Sequence, residues 1–308
     1  MLRTSIGRLL AAIPTLLILV TLAFFLMRAA PGGPFDAERV LPPEVRENLE
    51  RLYHLDEPLL AQYGRYLGSL ARGDLGPSFQ YKDWTVNELI ADGLPVSLRL
   101  GALALLLALA AGLGLGTAAA LRQNAATDHA VMGVAMTGIS VPNFVIAPLL
   151  ILVFGVHLGV LPAGGWGGGS WRHLLLPVLV LALPQVAYVA RLTRASLIEV
   201  LRSDYIRTAR AKGLRMHTIV LRHALRPALL PVVSYLGPAV AATLTGSLVV
   251  EQIFGLPGIG RHFIQGALNR DYTLVLGVVL VIGVAIVVIN VAVDALRGWM
   301  DPRVRSDV

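Results

Sequence analysis

Cysteine is absent from the 308 residues, which excludes disulfides, thiolate catalysis and cysteine-rich metal sites. Charge is scarce. Only 15% of the residues are charged and 56% are hydrophobic, against about 25% charged in an ordinary soluble domain. Such a chain lacks the polar surface to cover a soluble globule. No Gly-x-x-x-x-Gly-Lys-Ser/Thr run occurs, so the chain does not hold ATP through a phosphate loop. The formal net charge of +7 would also suit a nucleic-acid binder, so the placement of the charges decides.

Six stretches contain no Asp, Glu, Lys, Arg or His: residues 9–27, 100–121, 130–156, 174–190, 227–250 and 272–293. Crossing a hydrocarbon core of roughly 30 Å takes about 20 apolar residues. In lipid the backbone must satisfy its own hydrogen bonds, so the stretches are predicted to be helices. The fourth is the shortest and contains Pro177 and Pro184. The first follows Arg3 and Arg8 but, at 19 residues, exceeds a signal h-region of about 7–15, which predicts a retained helix. The predicted class is an all-α integral membrane protein with six transmembrane helices. Ion-coupled carriers need ionisable groups inside the bilayer, and none of the six stretches has one. Glu251, Asp294 and His157 fall just past predicted helix ends, as interfacial anchors would. Energy must then come from a partner.

Between the fourth and fifth stretches stand nine basic residues, from Arg191 to Arg226, against Glu199 and Asp204. Positive loops stay in the cytoplasm. Under a six-helix count Arg3, Arg8, Arg122, Arg297, Arg303 and Arg305 fall on that side, so both termini are expected inside. The organisation follows as 1–30 (N-terminus and first helix), 31–96 (a long extracytoplasmic segment), 97–296 (a five-helix core with a loop at 193–226) and 297–308 (a cytoplasmic tail). Segment 31–96 holds six basic and eleven acidic residues, with a helix expected at 43–53. The glycine-rich 158–170, also outside, reads as a flexible loop.

Within the basic loop, Ser203 or Asp204 can cap a helix and Gly213 can end it. Tyr205, Ile206 and Ala209 can share one face, with Arg207, Arg210 and Lys212 largely elsewhere. On chemistry alone the loop is either positive-inside charge lying on anionic lipid or a short helix for a partner.

Thr208-Ala209-Arg210-Ala211-Lys212-Gly213-Leu214, with His223-Ala224-Leu225-Arg226-Pro227 and Pro231, resembles the signature loop of binding-protein-dependent ABC importer permeases. The broad signature is Glu-Ala-Ala, three residues, Gly; Arg207 replaces its Glu and Thr208 its first Ala. The Ala-Arg-Ala-Lys-Gly form is similar to the peptide and nickel branch. So are Val250-Glu251-Gln252-Ile253-Phe254-Gly255-Leu256-Pro257-Gly258-Ile259-Gly260 and Arg28-Ala29-Ala30-Pro31-Gly32. Leu41-Pro42-Pro43-Glu44-Val45, Tyr53-His54-Leu55, Gly73-Asp74-Leu75-Gly76-Pro77-Ser78 and Tyr81-Lys82-Asp83 resemble the B-type permeases of bacterial oligopeptide importers in particular.

The resemblance implies a type I ABC importer permease fold in the bacterial inner membrane. It also implies a five-part assembly: an extracytoplasmic peptide-binding protein, a second homologous permease and two ABC ATPases. ATP and Mg would sit in those ATPases, with no cofactor in this chain. Tyr205, Ile206, Arg207, Ala209, Arg210, Ala211, Lys212 and Gly213 would then form the coupling helix that meets an ATPase. A peptide pathway should be wide and polar without fixed charge. Its candidate linings are Ser140, Asn143, Gln185, Tyr188, Ser234, Tyr235, Thr243 and Thr245, with Glu251 at the end of its stretch. The alternative for each is hydrogen bonding between helices. A dipeptide or nickel permease of the same branch is the neighbouring reading. A membrane-embedded enzyme would need intramembrane His, Asp or metal-ligand clusters, and the six stretches have none. The missing phosphate loop predicts that the chain purified without partners shows no ATPase activity above an empty-vector preparation. Activity that survives removal of every co-purifying ATPase would overturn this.

Overall fold

The computed structural model describes residues 2–30, 32–35 and 42–300. Pro31 and Leu41 of the resembling motifs, Arg39, and the tail 301–308 with Arg303 and Arg305 lie outside the described residues. Among those described, the regular elements are helices joined by turns and loops, and the β-structure is one isolated Pro77–Thr85 bridge. Five helical segments are long and apolar enough to cross a membrane. They are Leu10–Ala29 within α1 (Leu2–Ala29), α4 (Val86–Leu121), α7 (Trp171–Leu201), α11 (Leu230–Phe254) and α13 (Tyr272–Met300).

A sixth span exists only as a bent pair. α5 (Ala126–Ser140) and α6 (Asn143–Leu150), which continues as a π-helical turn to His157, meet at 103°. Residues 130–156 are therefore not one straight helix. Pro142 is the cause, because a proline's ring drives the preceding residue out of the α region. Val141 accordingly sits at φ −99°, ψ 122°. The short fourth stretch turns out to be the middle of a 31-residue helix, α7, which carries Pro177 and Pro184 inside it. It also runs past Arg191 and Arg194 to Leu201.

The chain divides into two compact units. One contains residues 11–97 and 257–285. It holds α2 (Pro43–Leu52, within the expected 43–53) and α3 (Leu59–Leu70). Its core is Leu75, Val86, Leu89, Ile90, Ile259, Leu274 and Val278, with α12 (Ile259–Leu268) packed in. Asp271, fully buried, organises the loop before α4: Ser78 Oγ and Thr273 Oγ1 donate to its carboxylate, as does the Leu274 amide at the start of α13. A second buried tie joins α4 to α12, where the Ile259 amide donates to Ser97 Oγ at 3.0 Å.

The other unit contains residues 98–256 with, of the described residues at the two ends, 2–10 and 286–300. α7 is its centre, with buried residues from Leu174 to Leu201. Glycines let neighbours approach it closely. A Cβ on Gly116 would lie 2.5 Å from Ala190 O and 2.7 Å from Thr193 Cβ, and one on Gly112 2.7 Å from Val189 Cβ. These two glycines form the small-xxx-small spacing that packs helices in lipid. Gly138 on α5 approaches Leu183 O in the same way, at 2.9 Å. Gly114, between the first two, has nothing within 4 Å of its Cβ position.

That contrast is testable. Gly116→Ala should lower the thermal midpoint of the detergent-solubilised chain by the equivalent of about 1–3 kcal/mol of overpacking, whereas Gly114→Ala should cause no loss. Equal losses at both positions would sink this account of the α4–α7 contact.

Candidate functional site

α8 (Asp204–Ala211) fills the basic loop. Ser203 occupies the N-cap position without a side-chain cap; its hydroxyl donates instead to Val200 O at 2.6 Å. The exit is a Schellman motif: Gly213 at φ +78°, its amide donating to Arg210 O at 2.9 Å and that of Leu214 to Ala209 O at 3.3 Å. A side chain with a Cβ resists that left-handed turn.

The three residues expected on one face are split. Ile206 and Ala209 are buried with Leu197, Leu201, Ile219, Ala224 and Ala228 of the same chain, while Tyr205 is 50% exposed. Tyr205 and Ile206 lie about 100° apart around a helix, enough for one to seat α8 on its own chain and the other to face away. Ala209 thus anchors α8 on its own chain. Arg207, Ala211, Lys212 and Gly213 are exposed, and Arg207 pairs with Asp204 at 3.0 Å on a fully solvated surface. Arg210 turns back toward the end of α7, its Nη2 3.5 Å from Leu201 O. After Gly213 the chain re-enters helix at α9 (Met216–Thr218), passes through a π-helical turn, Ile219–Ala224, and reaches α10 (Leu225–Ala228) before α11.

Five of the nine candidate linings converge on one cavity of about 490 Å³ among α5, α6, α7 and α11: Asn143, Gln185, Tyr188, Tyr235 and Thr243. Tyr235 donates to Gln185 Oε1 at 2.9 Å, and its ring lies 5.3 Å from that of Tyr188. The Arg191 guanidinium lies over the Tyr188 ring, 5.2 Å from its centroid. Asn143 Oδ1 is buried without a hydrogen-bond partner among the described residues. Ser140, Ser234, Thr245 and Glu251 are not part of this lining. The hydroxyls of Ser140, Ser234, Thr243 and Thr245 all donate to carbonyls four residues back in their own helices, at 2.8–2.9 Å. Bonding between helices is therefore not their role. Glu251 lies inside α11, fully buried, rather than past its end, and Asp294 lies inside α13, where Arg297 approaches it at 3.6 Å.

One pair at this site escaped the sequence reading. Arg194 on α7 grips Asp128 on α5 through two bonds, Nε–Oδ1 at 2.5 Å and Nη2–Oδ2 at 2.6 Å. Asp128, 1% exposed, also accepts from the Asn124 amide at 2.9 Å. The one available signal was a lone acid in the first turn of a charge-poor helix. Asp128→Ala should lower the thermal midpoint clearly, because it strands a guanidinium against α5. Asp204→Ala, which removes an exposed pair, should shift it far less. The reverse order in a differential scanning measurement would contradict this assignment.

With this geometry in place, the comparisons with known proteins are direct. The model of the family described as "Binding-protein-dependent transport system inner membrane component" matches residues 112–306. The chain is 55% identical to the oligopeptide transport system permease protein OppB of Salmonella typhimurium, over 99% of this chain and 100% of that one. It is 53% identical to the OppB of Haemophilus influenzae over the same shares. It is 45% identical to the dipeptide transport system permease protein DppB of Bacillus subtilis, over 99% of this chain and 98% of that one. Among solved structures, a chain of the inward-facing MetNI methionine ABC transporter superposes with a TM-score of 0.58 at 18% identity, covering 69% of this chain and 96% of that chain; this likeness carries the fold alone. The glycine-packed helical core, the short basic α8 and full-length relatives above half identity agree: the chain is a multi-pass membrane protein of the binding-protein-dependent transport system inner membrane component family.

Proposed function

We propose that the chain is a permease subunit of an ATP-driven, binding-protein-dependent importer of oligopeptides, carrying no catalysis of its own. The observation that carries this reading is the 55% identity to an oligopeptide permease across essentially the whole of both chains. The 45% relation to a dipeptide permease makes dipeptide uptake the second reading. The partners in this scheme are a second permease, two ATPases holding ATP and Mg, and an extracytoplasmic peptide-binding protein. The basic loop then lies in the cytoplasm with both termini. Reporter fusions at Arg122 and Ala211 should read inside, and at Asp56 and Gly168 outside.

In this reading α8 is the coupling helix. Ile206 and Ala209 hold it rigidly to its own chain, so a push on its outer face moves the end of α7 and the 219–228 segment that leads into α11 rather than deforming a loop. Tyr205, Arg207, Ala211 and Lys212 are what that outer face offers an ATPase. The cavity with Gln185, Tyr188 and Tyr235 supplies a polar, uncharged stretch of pathway, suited to peptide backbones of any sequence.

Two measurements test the proposal. Uptake of radiolabelled di-, tri- and pentapeptides and of nickel, in cells lacking the native system, should favour the longer peptides; a preference for dipeptide or nickel would replace the substrate assignment. Tyr205→Ala and Ala211→Glu should insert normally and keep their thermal midpoints, yet weaken ATPase co-purification by about tenfold or more, as loss of an aromatic anchor does. Ala209→Glu should instead damage the fold itself, since it puts a charge into a packed core. The coupling role falls if Tyr205→Ala and Ala211→Glu chains stay bound to their ATPases and transport at the unmodified rate.

A further inference from the structure

Beside α8 lies a cleft of about 420 Å³ that the coupling role does not use. Its polar lining is Arg122, Gln123, Arg202 and Arg210, and its apolar lining includes Leu121, Leu201 and Met216. No carboxylate lines it among the described residues. Asp128 is engaged by Arg194 and Asp204 by Arg207, and Glu199, exposed on α7, is not part of the lining. Arg202 donates only to the neutral Gln123 Oε1, at 3.1 Å, and Arg210 only to the Leu201 carbonyl. The Arg122 guanidinium has no hydrogen-bond or ion-pair partner among the described residues. Three guanidiniums therefore share one recess with no countercharge.

The mixed lining of the recess, three arginines with exposed apolar side chains, selects the counter-ion. α4 arrives at the cleft at Leu121, the last residue of its charge-free run, whereas α7 has already passed Arg191 and Arg194 before it ends at Leu201, so α4 brings the edge of the apolar layer to a cleft that lies on the charged side of it. Leu121 and Met216 stand 43% and 47% exposed at its edge. An apolar rim beneath a cluster of cations matches a lipid whose chains lie against the rim and whose headgroup enters the recess. Guanidinium groups hold phosphate oxygens in a bidentate fork, and basic pockets between membrane helices take anionic headgroups. A zwitterionic headgroup adds an ammonium that three arginines repel.

We propose that this cleft binds the phosphate of an anionic phospholipid, placing one lipid molecule in contact with the end of α7 and the base of α8. The site stands on residues outside the outer face of α8. It can therefore fail without the coupling reading, and the reverse.

Native mass spectrometry of the full-length chain, titrated separately with phosphatidylglycerol and phosphatidylcholine, reads the site directly. One phosphatidylglycerol per chain should be retained at least tenfold more tightly than phosphatidylcholine. Arg122→Gln/Arg202→Gln should weaken that binding by about thirtyfold at low ionic strength, and less as salt screens the charges. Arg122→Gln alone, which breaks no internal bond, should lose part of it with an unchanged thermal midpoint. Arg207→Gln, on the outer face, should bind as the unmodified chain does. Equal binding of the two lipids, or retention by the double variant, would overturn the site. Displacement by inorganic phosphate at matching concentration would show a free-anion site and overturn the lipid assignment. If the double variant binds lipid normally but loses its ATPases, the arginines serve a protein carboxylate and the proposal is wrong.

Discussion

Between helices immersed in hydrocarbon there is no water to expel, so burial of apolar surface gives no drive for one helix to choose another. What remains is close approach. In this chain Gly112, Gly116 and Gly138 bring the backbones of α4 and α5 onto α7 at distances a Cβ would forbid. Everything placed on α7 inherits its position from those contacts: Gln185 and Tyr188 at the cavity, Arg194 on Asp128, and Leu197 and Leu201 beneath α8. The prolines at 177 and 184 are compatible with this because neighbouring helices surround the freed carbonyls.

Rigidity and exposure are divided along α8 by a single turn of helix. The side chains at 206 and 209 are inside and those at 205, 207, 211 and 212 outside. Eight residues cannot form a stable helix alone. α8 therefore exists through its two buried contacts, its Schellman exit at Gly213 and the helices that hold both its ends. That dependence suits a coupling element, since a helix that owes its shape to α7 and to the 219–228 segment cannot move without them.

How much of this was legible beforehand follows from which interactions are local. Charge-free runs report helices in lipid because composition and length alone decide the matter, and all six runs fall on helical segments. The start of α8 and its Gly213 exit were legible from residue types. The break at Val141 was also written in the sequence, since Pro142 constrains its neighbour, but the charge-free run concealed it. α7 continues past Ala190 because backbone bonds do not stop where lipid does, and a rule that ends helices at the first arginine cuts it short. The Asp128–Arg194 pair joins residues 66 apart. No local pattern announces such a partner, so Arg194 was counted only as one positive charge among nine.

The polar residues of the cavity show why a list of candidates by residue type overreaches. A hydroxyl in a helix can satisfy itself on the carbonyl four residues back. Ser140, Ser234, Thr243 and Thr245 all do so, and such a group can face lipid, protein or a lumen at little cost. A carboxamide or phenol has no such outlet. Gln185 and Tyr235 had to find each other across two helices, and Asn143 Oδ1 is left without a partner among the described residues. A buried acceptor without a donor is destabilising by about 1–3 kcal/mol, so its place at the cavity wall, rather than in the helix packing, is where an entering N–H group would relieve it. Among the candidate linings, the amides and the phenols carry the information about a peptide route, and the hydroxyls carry almost none.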